Sequence, residues 1–135
     1  MKKNMKEIRI LILSHMYPRV TDSVSGIFIH QHVKNLLRIG CRVTIISPIP
    51  YVPRILQTNL RRKGYRKTQL VDTIEGVTIY YPRYIRLPGQ WFHGLSCYTM
   101  YWGIKNTVKQ LINNFKPDIL HVHVATPDGY VGLML

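Results

Sequence analysis

Apolar residues along this chain follow two rhythms. Near-continuous aliphatic runs mark strands, and apolar residues three or four apart mark helices. Residues 7–13 contain Arg9-Ile10-Leu11-Ile12-Leu13, which suits a central parallel strand covered on both faces. Pro18 ends it, because proline cannot continue a ladder. After a polar loop over 19–25, a helix is expected from Gly26 to about Ile39. Ile29, Val33, Leu36 and Leu37 give it one buried face, and Gly40 sits where a left-handed cap belongs. Residues 43–47 read as a second strand, stopped by Pro48 and Pro50.

The rhythm then weakens. Residues 51–72 are irregular, with room for a short basic helix. A turn at Glu75-Gly76 feeds a strand that Pro82 closes, and 83–94 read as a loop. A second long helix is expected over 96–115, burying Tyr101, Ile104, Val108, Leu111, Ile112 and Phe115. Residues 118–124 form the next strand, and Pro127-Asp128-Gly129 opens what reads as the first turns of another helix over 130–135. The order is β-α-β-(basic insert)-β-α-β-α. That is the pattern of an α/β, doubly wound, Rossmann-like parallel sheet. A complete domain of this type usually carries more strands, so the chain reads as an incomplete half of a larger fold.

Composition agrees with a packed core: 46% of the 135 residues are hydrophobic and 19% charged, far from the profile of disorder. No apolar run approaches the roughly 20 residues of a membrane span. Arg9 interrupts the first apolar segment and no small-residue cleavage site follows it, so a signal peptide is not expected and a cytoplasmic location is. Cys41 and Cys97 fit no metal or redox spacing and read as reduced, packed thiols. The net charge of +13 is concentrated: Arg54, Arg61, Arg62, Lys63, Arg66 and Lys67 share one stretch without an acid. Such a cluster attracts anionic membranes, nucleic acids or phosphorylated ligands. The ordinary alternative is a solvated basic loop.

Ligands of doubly wound sheets bind outside the carboxyl ends of the strands. That places His15, Ser47, Arg83 and His123 around one crevice. Ser25-Gly26 precedes a helix whose first N–H groups can meet a phosphate or sugar hydroxyl. No G-x-G-x-x-G occurs, which argues against nicotinamide or flavin. His121 and His123 are two apart in a strand and share a face. His123, nearer the carboxyl end, is the better base or hydrogen-bonding group, and His121 reads as structural. No third metal ligand stands at a recognisable spacing, and His30 and His32 read as surface or edge residues of the first helix. The aromatics Trp91, Phe92, Tyr98, Tyr101 and Trp102 read equally as a core satellite or as a surface for lipid or a partner domain.

These features, in this order, resemble the N-terminal domain of GT-B glycosyltransferases of family 4. The segments that carry the likeness are 13–48, with the Ser25-Gly26 turn and Gly40-Cys41-Arg42-Val43; 72–86; and Pro117-Asp118-Ile119-Leu120-His121-Val122-His123 through Tyr130. The family usually has Gly-Gly where this chain has Ser25-Gly26, and His-Glu where it has Cys41-Arg42. The resemblance implies the acceptor-binding half of a retaining enzyme that moves a sugar from a nucleotide-sugar donor to a polysaccharide or glycolipid acceptor, without a metal. His123 would be its active-site histidine. Ser25 and Gly26 would approach the donor phosphates or acceptor, and His15, Arg83, Asp128 and Gly129 would line the cleft. The donor-binding C-terminal domain would be absent from residues 1–135, leaving this piece inactive alone. Arg61, Arg62, Lys63, Arg66 and Lys67 would then face an anionic membrane, with Trp91 and Phe92 as interfacial anchors. The competing reading, a non-catalytic basic module for nucleic acid, rests on charge alone, since no nucleic-acid motif is present.

Overall fold

The computed structural model describes residues 7–51, 53, 60–86 and 93–135. Five strands form one sheet: β1 (Arg9–Leu13), β2 (Arg42–Ile46), β4 (Val71–Ile74), β5 (Val77–Tyr80) and β7 (Ile119–Val122). Their order is β4-β5-β2-β1-β7. All neighbours are parallel except the β4–β5 hairpin. Two short strands, β3 (Ile49–Pro50) and β6 (Arg83–Tyr84), pair with each other beyond the sheet's carboxyl edge. The helices are α1 (Ile27–Arg38), α2 (Leu60–Lys67), α3 (His93–Asn114) and α4 (Tyr130–Met134). This is the mixed α/β, Rossmann-like sheet expected from the pattern.

Side-chain alternation splits the core into two layers. Ile10, Ile12, Val43, Ile45, Val77 and Ile79 point to one face, where Ile29 and Val33 of α1 cover them. Leu11, Leu13 and Ile46 point to the other, under Met100, Ile104, Val108 and Leu111 of α3 and Val131 of α4. Full burial of an aliphatic side chain contributes about 1.5–3 kcal/mol, against about 1 kcal/mol for an N-cap. Burial therefore attaches α1, whose N-cap Gly26 makes no side-chain cap bond. Leu37 and Ile112, both expected inside, are exposed. Leu37 lies outside the stripe formed by Ile29 and Val33. Ile112 borders an open hollow of about 510 Å³ at the amino end of β1 and β7, beside Lys116, Ile119 and Leu135.

His30 departs from the expected surface position. It is buried, its Nδ1 lies 2.6 Å from Tyr17 Oη, and its Nε2 lies 3.2 Å from Glu75. Lys34 also reaches Glu75 at 2.8 Å, so the Glu75 carboxyl is held below its usual range, first by Lys34 and then by His30. These contacts tie α1 to the β4–β5 turn, where Glu75 and Gly76 both adopt left-handed backbone. That pair makes the turn of a hairpin whose first strand, β4, has no clear period of its own. Among the described residues, no helix is long and apolar enough to cross a membrane.

Candidate functional site

The topology selects one crevice. From β1 the chain moves through α1 to β2 on one side, then returns much later to β7 on the other. The strand order reverses between β1 and β7, and a doubly wound sheet offers its ligand site at the carboxyl ends of such a pair. His15 follows β1 there. The wound turn Ala125–Gly129 follows β7 and carries Asp128 into the same place.

His15 and Asp128, 113 residues apart in sequence, form a dyad across this crevice. The His15 backbone N–H donates to Asp128 Oδ2 at 3.0 Å, and its ring Nδ1 lies 2.8 Å from the same oxygen. Asp128 is fully buried, whereas 31% of the His15 side chain remains exposed. In the neutral ring, a carboxylate at Nδ1 favours the proton there and leaves Nε2 as the acceptor. Asp128 Oδ1 is enclosed and makes no hydrogen bond among the described residues. Gly129 tightens the turn: its N–H donates to Val124 O at 2.8 Å, and a Cβ would sit 3.1 Å from that oxygen.

His123 lies one residue beyond β7. The register pairs His121 with Ile12, so His121 shares Ile12's face, the one that α1 covers. The His121 and His123 rings are 4.6 Å apart, which confirms their common face. Burial, followed by the neighbouring His121 and His32, pushes the His123 imidazole below its ordinary pKa, while Asp128 acts the other way. Its Nε2 is enclosed and makes no hydrogen bond among the described residues. His32, from α1, joins the pair with ring centroids 5.6 Å from each.

Other expected site residues lie differently. The missing side chain of Gly26 faces its own chain, because a Cβ would stand 2.3 Å from Met16 O at a backbone φ of +73°. Its need for glycine is thus met by packing of the β1–α1 loop. The Ser25 N–H donates to Asp22 Oδ1 at 3.1 Å, and Ile27 N–H to Val24 O at 3.2 Å, so these two N–H groups at the helix start already have partners. The Ser25 N–H, with the nearby Arg19 charge, holds the Asp22 carboxyl below its usual range.

The Arg83 side chain turns to α2. Its guanidinium donates to the carbonyls of Tyr65 and Thr68 at the C-terminal end of α2, and burial lowers its pKa. A cation on the last carbonyls complements the helix dipole. Replacing it (Arg83→Met) is expected to loosen α2 by about 1.5–3 kcal/mol, the worth of a hydrogen bond to a charged group. Faster amide exchange in residues 60–68, with the sheet unchanged, is the measurement; unaltered exchange would contradict the docking role.

Lys63, Arg66 and Lys67 are exposed on α2, so the short basic helix is present. Arg61 and Arg62 fall in the same helix, though their side chains are not among those described. Arg54, Trp91 and Phe92 lie outside the described residues. Of the remaining aromatics, Tyr98 and Trp102 are largely exposed. Tyr98 meets Tyr130 edge to face at 6.2 Å, and Lys105 lies 3.6 Å above the Trp102 ring.

Two things escaped sequence reasoning: the pairing of His15 with Asp128, and the third histidine. His32 follows Ile29 by three positions, at the margin of the buried stripe, and that spacing was the available signal.

Fold and site together define a Rossmann-like α/β unit with a buried carboxylate orienting a histidine at the switch point. The chain is 28% identical over 125 residues to the Bacillus subtilis (strain 168) protein named "Putative teichuronic acid biosynthesis glycosyltransferase TuaC". That alignment takes in 90% of this chain and 31% of the relative, so the chain spans about a third of the relative's length. No protein-family model matches the chain, and no solved structure gives a significant match.

Proposed function

We propose that this chain is the acceptor-binding half of a retaining GT-B glycosyltransferase, moving a sugar from a nucleotide-sugar donor to a polysaccharide or lipid-linked acceptor. The observation that carries the reading is the His15–Asp128 dyad at the carboxyl ends of β1 and β7. Asp128 fixes the ring, and His15 Nε2 accepts a hydrogen bond from the acceptor hydroxyl and orients it toward the anomeric carbon. His123, whose imidazole burial holds below its ordinary pKa, bonds a second sugar hydroxyl. The donor site and the groups that hold its diphosphate belong to a second domain, and the transfer step itself needs no metal. The direct experiment supplies the full-length protein with a panel of radiolabelled nucleotide sugars and a lipid extract of its own cells. Label appearing in lipid or polymer supports the reading; no transfer from any donor, with folded protein, would overturn it.

The basic helix gives the acceptor half a place to work. We infer that the α2 face carrying Lys63, Arg66 and Lys67 rests on anionic lipid headgroups. Each basic side chain near such a surface contributes about 1 kcal/mol. The double change Lys63→Gln/Lys67→Gln is therefore expected to weaken binding to phosphatidylglycerol vesicles by roughly thirtyfold, near 2 kcal/mol. Added salt should weaken the native protein similarly. Vesicle affinity indifferent to both would remove the membrane from the picture, and tight salt-sensitive binding to single-stranded nucleic acid in its place would favour the competing reading.

A further inference from the structure

His32, His121 and His123 form a cluster that the dyad does not use. Two come from the end of β7 and one from α1, so the helix–sheet packing assembles them. Each offers a ring nitrogen, and these three atoms lie within 4.8 Å of one another. His121 and His123 are half-buried, and His32 is exposed. Nothing in the sheet's packing calls for three imidazoles in contact, since like cations so close would repel. Three ring nitrogens gathered in this way are what metal ligation needs.

Ligand chemistry narrows the ion. Three imidazoles with an open fourth position suit zinc, and nitrogen ligands in general suit zinc, copper and nickel. Magnesium and calcium require oxygen donors, which the cluster does not supply. We infer that His32, His121 and His123 bind a divalent transition-metal ion of the zinc class on the α1 face of the sheet, with water in the fourth position.

The required adjustment is small. Zinc–nitrogen bonds of about 2.0–2.1 Å in a tetrahedron put ligand atoms roughly 3.3 Å apart, so the widest pair must close by about 1.5 Å. Side-chain rotation, freest at the exposed His32, supplies that adjustment. Because His123 Nε2 is enclosed and makes no hydrogen bond among the described residues, a cation gives this nitrogen a partner. An ion here would also occupy His123, so metal loading and sugar contact by that residue would exclude each other. The site stands whether or not the transferase reading holds.

The test is a cobalt titration of the chelator-stripped, full-length protein, followed by displacement with zinc. One equivalent of cobalt per chain is expected, with the visible ligand-field bands of a low-coordinate nitrogen site, and magnesium and calcium should not compete. Loss of a supporting partner beyond the ligands already costs 10–100-fold in metal affinity. Removing a ligand itself, by His32→Gln or by His121→Asn, is expected to cost at least about tenfold. His32 is exposed on α1, so its variant retains the fold, which circular dichroism checks. Failure of the native protein to take up cobalt, or equal uptake by the native protein and both variants, overturns the inference.

Discussion

Asp128→Asn in the full-length enzyme is expected to lower kcat/KM for sugar transfer between about 10²- and 10⁴-fold, the range associated with a positioned acid–base or hydrogen-bonding group. The substitution is nearly isosteric, so the buried turn should keep its shape. What changes is the partner of His15. Asp128 Oδ2 takes both the His15 backbone N–H and ring Nδ1, at 3.0 and 2.8 Å. An amide can still accept from the backbone, but it either presents N–H groups to Nδ1 or leaves it a weaker acceptor. The ring then loses the tautomer that directs the Nε2 lone pair to the crevice, or turns away. Small misplacement of a reacting group alone costs about 100-fold. Steady-state transfer, together with a near-ultraviolet circular dichroism spectrum matching the native one, makes the measurement. An unchanged rate would take the dyad out of the transfer site and leave the proposed function without its main support.

Gly26→Ala is expected to destabilise the fold by about 2–5 kcal/mol. Two costs add. A non-glycine residue in the left-handed region costs roughly 1–2 kcal/mol, and forcing atoms into filled space costs roughly 1–3 kcal/mol. Here the space is occupied by backbone, since the new Cβ would meet Met16 O at 2.3 Å and Met16 C at 2.7 Å. No rotamer change relieves that contact, so the β1–α1 loop must shift. His15 precedes Met16, and transfer should therefore fall along with stability. Urea unfolding gives the magnitude. A stability loss confined to a few tenths of a kcal/mol, with transfer abolished, would mean that Gly26 serves a bound ligand and that loop packing matters little.

The same residues show how far pattern reading reaches. The runs at 9–13 and 42–46 and the spacing of Ile29 with Val33 are local properties, and the elements appear as the rhythm predicts. β3 and β6 have two residues each, and a period cannot be seen in two residues. They exist because Tyr51 N–H donates to Tyr84 O and Ile49 N–H to Pro82 O across the chain. Arg83 follows a strand end and so looked like a cleft residue. Its direction was decided by the Tyr65 and Thr68 carbonyls at the end of α2, which no sequence spacing announces. His15, His123 and Asp128 were legible as residues near one crevice, because β1 and β7 end there. Their grouping was not. Asp128 went to His15, and His123 went to His32 and His121.

By itself, then, the sequence determined the class of fold, the major parallel strands and the end of the sheet where polar groups gather, since hydrophobic period and chain order are written locally. Tertiary structure alone decided which polar groups meet. Helix α1 lies on the Ile12 face of the sheet, so His32 reaches His121 and His123. The turn after β7 winds back toward β1, so a buried carboxylate finds a histidine 113 residues away. Such pairings depend on face, register and turn geometry together, and a shift of one residue in any strand would send each side chain to the opposite face.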